Sequence, residues 1–358
     1  MPPALHLTGS RHPRPPARRV AFCDGSTDAT WRDGTDLELS HWIPNRTPPA
    51  FKADTSTGIV LNALAAGATA DVDLVVNNHV DTDGALSLFV LRHPALALAH
   101  RGTLEQAAAM GDFHAWGDEP AQRLFQALAL RRTRLHAEGA DPQDLCLALH
   151  ALARSTLGEV ADPDAALDDP APGLAALRAA ADAVDQGRIA RSLLSPRLVH
   201  YVLPTPLADR DGLPALDQPV RPGALLPPHL RSRHDAQRLQ LLSAPGAGGW
   251  HHDLCWPGHA WAETVSLWRP PGLQPGDGSN HHVLHHPPLD AAAAELNARE
   301  SAPGRWQVAT TLGPFGALKG RPFPVVLSLV QEGQPAASAL APSSVAAVLL
   351  AAGLGRAG

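Results

Sequence analysis

Short apolar runs closed by turn residues alternate along this chain with longer stretches of helical spacing. "VAFC" (Val20 to Cys23) and "VDLVV" (Val72 to Val76) are continuous apolar runs and predict buried strands. Between them, "DLELSHWIPNRTPPAF" is broken by Pro44, Pro48 and Pro49 and reads as irregular. "ADTSTGIVLNALAAG" follows. Ile59, Val60 and Leu64 give it an apolar side, Ser56 or Thr57 can cap it, and Gly67 stops it, so a helix is expected. Further helices are expected from about Ala85 to Leu91 and over "TLEQAAAMGDF", where Thr103 and Gln106 fit a capping box. Others are expected over Glu119 to Glu138, from Pro142 onward, and from Leu174 to about Leu194. Leu198 to Leu203, "AETVSLWR", "RWQVATTLG" and "PVVLSLV" read as strands. "SSVAAVLLAAGLG" reads as a terminal helix capped by Ser343 or Ser344, too short to span a bilayer.

Helices dominate the middle and strands appear at both ends. This predicts an α/β fold with a mixed or parallel sheet flanked by helices, and a second, smaller α+β region. The expected organisation is a disordered basic arm (1–19, with Arg11, Arg14, Arg18 and Arg19), an N-terminal α/β domain (20–160), an acidic, proline-punctuated linker (161–173) and a C-terminal α+β region (174–358). The proline-rich stretch "LPALDQPVRPGALLPPHL" reads as a long excursion, and no internal repeat is evident.

Composition narrows the function classes. A 44% hydrophobic content supports a sizeable core, while Pro 35 and Gly 30 imply many turns. The net charge of -6 argues against a nucleic-acid coat protein. Cys23, Cys146 and Cys255 are odd in number and far apart, and the first residues lack a signal-peptide core. A reducing, cytoplasmic setting without a membrane anchor is therefore expected. P-loop, nucleophile-elbow and HExxH motifs are absent.

The densest chemistry lies in "VVNNHVDTDGALSLFVL". His79, Asp81 and Asp83 follow a buried strand and precede a helix, with Gly84 at the bend. In an extended segment, alternate positions point to one side. A neutral imidazole and two carboxylates suit Mn²⁺ or another divalent ion, and the carboxyl ends of strands are where α/β sheets bind ligands. Ser87 falls near the start of the helix, where N–H groups favour an anion. The alternative is a polar turn in which Asp83 caps the helix. A calcium EF-hand loop is excluded by His79 and Val90 at positions that need oxygen ligands.

"NHVDTDGALS" resembles the first motif of the DHH phosphoesterase superfamily, in which a His or Asp precedes Asp-x-Asp-Gly between a strand and a helix. The resemblance covers ten to fifteen residues. It implies that His79, Asp81 and Asp83 hold a Mn²⁺ pair that activates water against phosphorus, with Asp112 as the isolated downstream aspartate. The Asp-His-His triplet that names the superfamily is absent, as is its glycine-rich substrate motif.

Other clusters have candidate roles. "GGWHHDLCWPGHAW" offers His251, His252 and Asp253, with Cys255 and His259, among three tryptophans, either as further metal ligands or as a Trp-rich core edge. "GDGSNHHVLHHPP" carries His281, His282, His285 and His286 in an expected loop. "HWIPNRTPPAFKADTST" places Arg46 and Lys52 ahead of Thr55 and Ser56 at a helix start, an arrangement able to hold a phosphate or to serve only as helix capping. Together these point to a metal-dependent hydrolase of phosphoester or phosphoanhydride bonds acting on a small phosphorylated molecule or short oligonucleotide. The alternatives are a noncatalytic binding or regulatory protein on a degenerate scaffold of this kind, and a metal enzyme of another reaction type centred on the Trp/His cluster.

Overall fold

The computed structural model describes residues 2–206, 216–257, 259, 261–266, 282–283, 286–312, 318 and 324–355. The fold is α/β, with one parallel and one mixed sheet. The chain divides into two units: the first holds residues 1–174 with the returning segments 217–222 and 262–267, and the second holds the remainder.

In the first unit, β1 (Ala4–Leu7), β2 (Val20–Cys23), β3 (Leu37–Leu39) and β4 (Leu74–Asn77) form a sheet in the order β1-β4-β2-β3. Every pairing in it is parallel. Six helices of this unit follow: α1 (Ser56–Ala65), α2 (Thr82–Arg92), α3 (Pro94–Ala99), α4 (Arg101–Phe113), α5 (Glu119–Ala137) and α6 (Pro142–Thr156). Strand side chains alternate between faces. Leu5, Leu7, Ala21, Cys23 and Val75 join the helix core through Leu61, Leu86, Phe89 and Phe125. Val20, Phe22, Leu74 and Val76 face the other way, under Ala17 and Trp31. Because both faces are covered, these strands read as continuous apolar runs.

The second unit takes up α7 (Ala171–Asp185), which begins in the last residues of the first, then β5 (Ala190–Ser195), β6 (Leu198–Val202), α8 (Pro228–Asp235), β7 (Leu239–Gly246) and β8 (Gly249–Cys255). It continues with β9 (His282–Val283), α9 (Pro287–Arg299), β10 (Arg305–Val308), β11 (Thr311–Leu312), β12 (Val325–Gln331), β13 (Gln334–Pro335) and α10 (Pro342–Ala351). Its sheet runs β10-β12-β8-β7-β6-β5, with β13 on β12 and β9 paired to β11 separately. Among the described strands of this second unit, only β6 and β7 pair in parallel.

Several local expectations change. The arm expected over 1–19 is ordered where Ala4–Leu7 form β1 on the edge of β4. Leu37–Leu39, in the stretch expected to be irregular, is a strand, because β2 supplies its partner. The Thr103–Gln106 capping box does not form: α4 starts at Arg101, and Gln106 bonds Asp118 instead. Thr55, not Ser56 or Thr57, caps α1 by accepting from the Gly58 N–H. Pro342 starts α10 without a side-chain cap from Ser343 or Ser344. The helix expected to Leu194 ends at Asp185, and Gly187, in a left-handed conformation, precedes β5. The described part of "AETVSLWR" holds one isolated bridge, Trp42 to Ala262, and no strand. The acidic stretch after residue 160 is anchored, since Asp162 and Asp168 both pair with the buried Arg131. Among the described residues, no helix is long and apolar enough to cross a membrane. The three cysteines are free and buried.

Candidate metal centre

Asp24, which follows β2, His41, which follows β3, and His79 with Asp81, which follow β4, all lie just past the carboxyl ends of adjacent parallel strands. The backbone of Asp24 is left-handed (φ 58°), and Gly25 after it is as well (φ 76°). A Cβ at Gly25 would lie 2.2 Å from Asn78 Oδ1, so this turn needs glycine. The turn sets the Asp24 carboxylate, fully buried, between two imidazoles. Its Oδ2 lies 3.0 Å from His79 Nε2, and its Oδ1 lies 3.5 Å from His41 Nε2. Trp42 Nε1 (2.9 Å) and Ser56 Oγ (2.8 Å) donate to Oδ1 and fix its rotation.

Two donor groups share Asp24. Asp24, His79 and Asp81 form one; Asp24, His41 and Asp83 form the other; in each, the candidate ligand atoms lie within 4.8 Å of one another. Asp112, near the end of α4, brings its Oδ2 to 3.3 Å from His41 Nε2, and that oxygen has no hydrogen-bond partner. The groups differ in access. His79 and Asp81 side chains keep 29% and 20% of their surface, while His41, Asp24 and Asp83 keep none.

His79, Asp81 and Asp83 do not point together from an extended segment, as the spacing suggested. α2 begins at Thr82, so Asp83 is already helical, while Asp81 is extended and caps the helix through the Gly84 N–H (2.7 Å). Asp83 points back and accepts from the Ser56 and Thr57 N–H groups, both at 2.7 Å. The polar-turn alternative therefore holds for Asp81 rather than Asp83. Gly84 is needed for close approach: a Cβ there would lie 2.4 Å from Asn77 Nδ2 and 3.0 Å from Asp24 Oδ2.

This geometry also corrects the anion pocket expected ahead of α1. The helix N-terminal donors already hold an anion, the Asp83 carboxylate. Thr55 is the cap, and Ser56 Oγ serves Asp24. Ser87 Oγ donates to the Gly84 carbonyl of its own helix. Arg46 lies 3.6 Å from Glu38 and stacks over Trp31, and Lys52 pairs with Glu263 at 2.5 Å.

Charge crowding governs protonation. Burial would raise Asp24, but His79, then His41 and Ser56, outweigh it and hold the carboxyl at about 2. Burial and then the Asp24 charge push Asp83 up to about 6. Burial, followed by Asp81, Asp83, Asp24 and Asp217, raises Asp112 well above the carboxylate range. Burial opposes a charged His79, yet Asp81 and Asp24 raise it well above its usual value. Asp217, in a segment that returns to this unit, accepts from the Thr82 N–H and hydroxyl and pairs with Arg132.

His251, His252 and Asp253 lie on β8 in the second unit, and none joins a metal-spaced group among the described residues. His252 bonds Ser243 Oγ through Nδ1 and the Leu340 carbonyl through Nε2, and His251 Nδ1 bonds the Ala336 carbonyl. These are sheet-packing roles. His281 and His285 lie outside the described residues.

Sequence reasoning missed Asp24 and His41. "CDGS" read as a turn and "SHW" as irregular chain, although each directly follows a short strand of the parallel sheet. Comparison with known proteins returns one family, described as "Family of unknown function (DUF6687)", which matches residues 16–273. No curated protein and no solved structure matches the chain.

Proposed function

The chain belongs to this family of unknown function, DUF6687, and from the geometry of its first unit we propose a metal-dependent hydrolase of phosphoester or phosphoanhydride bonds with two divalent-metal positions. The observation that carries the reading is the buried Asp24 carboxylate, whose two oxygens face two separate His/Asp groups. Oxygen and imidazole donors without sulfur suit Mn²⁺ or a similar ion. The donor set fits a cation in charge as well. Asp24, Asp81, Asp83 and Asp112 surround only two imidazoles, and Asp83 and Asp112 are driven toward the protonated state. A bound divalent ion would release those protons.

His79, Asp81 and one Asp24 oxygen would hold the outer ion; His41, Asp83, Asp112 and the other Asp24 oxygen would hold the inner one. A metal pair supplies Lewis acidity and a water of lowered pKa. The protein fixes the donors. Trp42 and Ser56 set the Asp24 carboxylate, and the α1 N-terminus sets Asp83. Substrate would approach on the His79/Asp81 side, where surface remains exposed. The acidic surroundings would admit a phosphate only with the metals bound.

The test is elemental analysis of untagged protein, wild type beside a His79→Ala, Asp81→Ala variant. Hydrolysis of bis(p-nitrophenyl) phosphate, pyrophosphate and a short oligonucleotide would be assayed with Mn²⁺. Stoichiometric metal and Mn²⁺-dependent hydrolysis, both reduced in the variant, are expected. Metal without hydrolysis of any of the three would refute the reaction class, and equal trace metal in both folded proteins would refute the centre.

A further inference from the structure

At the other end of the sheet from Asp24, where β1 and β4 begin, the first unit has a cavity of about 440 Å³. Leu64, Val72, Leu91 and Pro94 supply apolar wall. Thr69 and Arg92 supply the side-chain polar groups. Arg92 sits in the last turn of α2, whose N-cap is Asp81 and whose first turn carries Asp83.

Arg92 differs from the other buried arginines described, among which Arg231 bonds the Gln240 side-chain oxygen. Arg131, Arg132, Arg134 and Arg191, also partly or fully buried, each pair with a carboxylate. Arg92 has no ion pair or hydrogen bond among the described residues, and its Nε is buried without a partner. Burial lowers the pKa of its guanidinium from the usual value. Its titratable neighbours, Cys146, His93 and His150, give no compensation. Burial pushes the Cys146 thiol up to about 12 and His150 down to about 3, so both stay neutral, and His93 is also shifted down. The carbonyl end of α2 contributes only a partial negative charge. A half-buried cation without a counter-ion is left short of partners, and a planar guanidinium matches a carboxylate in particular.

We infer that this cavity binds a small organic carboxylate, its anionic head on Arg92 and Thr69 and its hydrocarbon body against Leu64, Val72 and Leu91. An apolar cleft with a few convergent polar groups is the usual form of a small-molecule site. The apolar wall distinguishes this ligand from a hydrated inorganic anion, which would leave that surface uncovered. The site does not depend on the metal centre, and metal-free protein should bind equally well.

Isothermal titration of EDTA-treated full-length protein with hexanoate and benzoate tests the inference, with hexanol, benzyl alcohol and inorganic phosphate as controls. Saturable binding of at least one carboxylate is expected, with neither alcohol binding. Arg92→Met, which keeps the apolar stem, should weaken it at least tenfold; Thr69→Val, which leaves the guanidinium in place, should weaken it less. Arg92→Lys serves if the Met variant is unfolded, and should also bind more weakly than wild type. Absence of carboxylate binding in the wild type, equal binding in the folded Arg92 variants, or phosphate binding in place of carboxylate would overturn it.

Discussion

Asp24→Asn separates the metal reading from a purely structural one, because its local outcome is set by hydrogen-bond polarity. Asp24 Oδ1 accepts from Trp42 Nε1 and Ser56 Oγ, whereas Oδ2 faces only His79 Nε2, at 3.0 Å. An asparagine must keep its oxygen toward the two donors and turn its amide nitrogen toward His79. The fold then keeps both hydrogen bonds but loses the buried charge facing His79, so metal-free protein should still fold with a loss of about 1.5–3 kcal/mol. Metal affinity should not survive. One carboxylate charge about 4 Å from a divalent ion, at an effective dielectric near 20, contributes roughly 8 kcal/mol before desolvation. If only half of that persists, about 4 kcal/mol is lost, a factor of nearly 10³ in affinity. The assay is thermal unfolding with and without Mn²⁺, beside elemental analysis. A wild type saturated at 100 times its dissociation constant gains about 2.7 kcal/mol, and the variant should gain nothing measurable. A folded Asp24→Asn protein with wild-type metal content would refute the assignment of Asp24 to both positions.

Other perturbations test the surrounding framework. His150 is buried, bonds the Ala85 carbonyl, and has its pKa lowered to about 3 by burial and then by Arg92. A histidine kept neutral by the fold stabilises above its unfolded pKa of about 6.5 and destabilises as pH falls toward the folded value. Between pH 7 and 5 the wild type should therefore lose about 2 kcal/mol that His150→Gln does not lose; parallel urea-denaturation profiles for the two proteins would contradict this. Arg131→Met leaves Asp162 buried without its cation, while Asp168 keeps Arg134, and should destabilise by about 3 kcal/mol, with Asp162→Asn recovering part of the loss in the double variant. Gly84→Ala gains about 1 kcal/mol of helix propensity but drives a Cβ to 2.4 Å from Asn77 Nδ2. Net destabilisation of about 1–2 kcal/mol is expected by chemical denaturation, and a more stable variant would show that Asn77 moves freely.

The sequence made β2, β4, α5 and α6 legible because their signals are local: apolar runs, long helical spacing, a proline at a first helical position. β3 was hidden, since three residues with a glutamate at their centre become a strand only through pairing with β2. The candidate site was half legible. "HVDTDG" announces itself by density, but Asp24, His41 and Asp112 meet it from up to 59 positions away (Asp24 to Asp83), through strand order and the packing of α4. Thr55, Ser56 and Thr57 were visible as helix-start residues; that the anion they serve is Asp83 depends on how α1 and α2 meet.

β1 gives the amino-terminal residues a protective role. β4, the strand that delivers the metal motif, is interior to its sheet only because Ala4–Leu7 pair along one side of it while β2 pairs along the other. Without those few residues, "LVVN" would present an open row of backbone donors and acceptors, flanked by valines and short of charge, which is a template for pairing between molecules. Trimming the chain before residue 19 would therefore leave β4 as an adhesive edge, and the first sign of the loss would be self-association rather than altered chemistry.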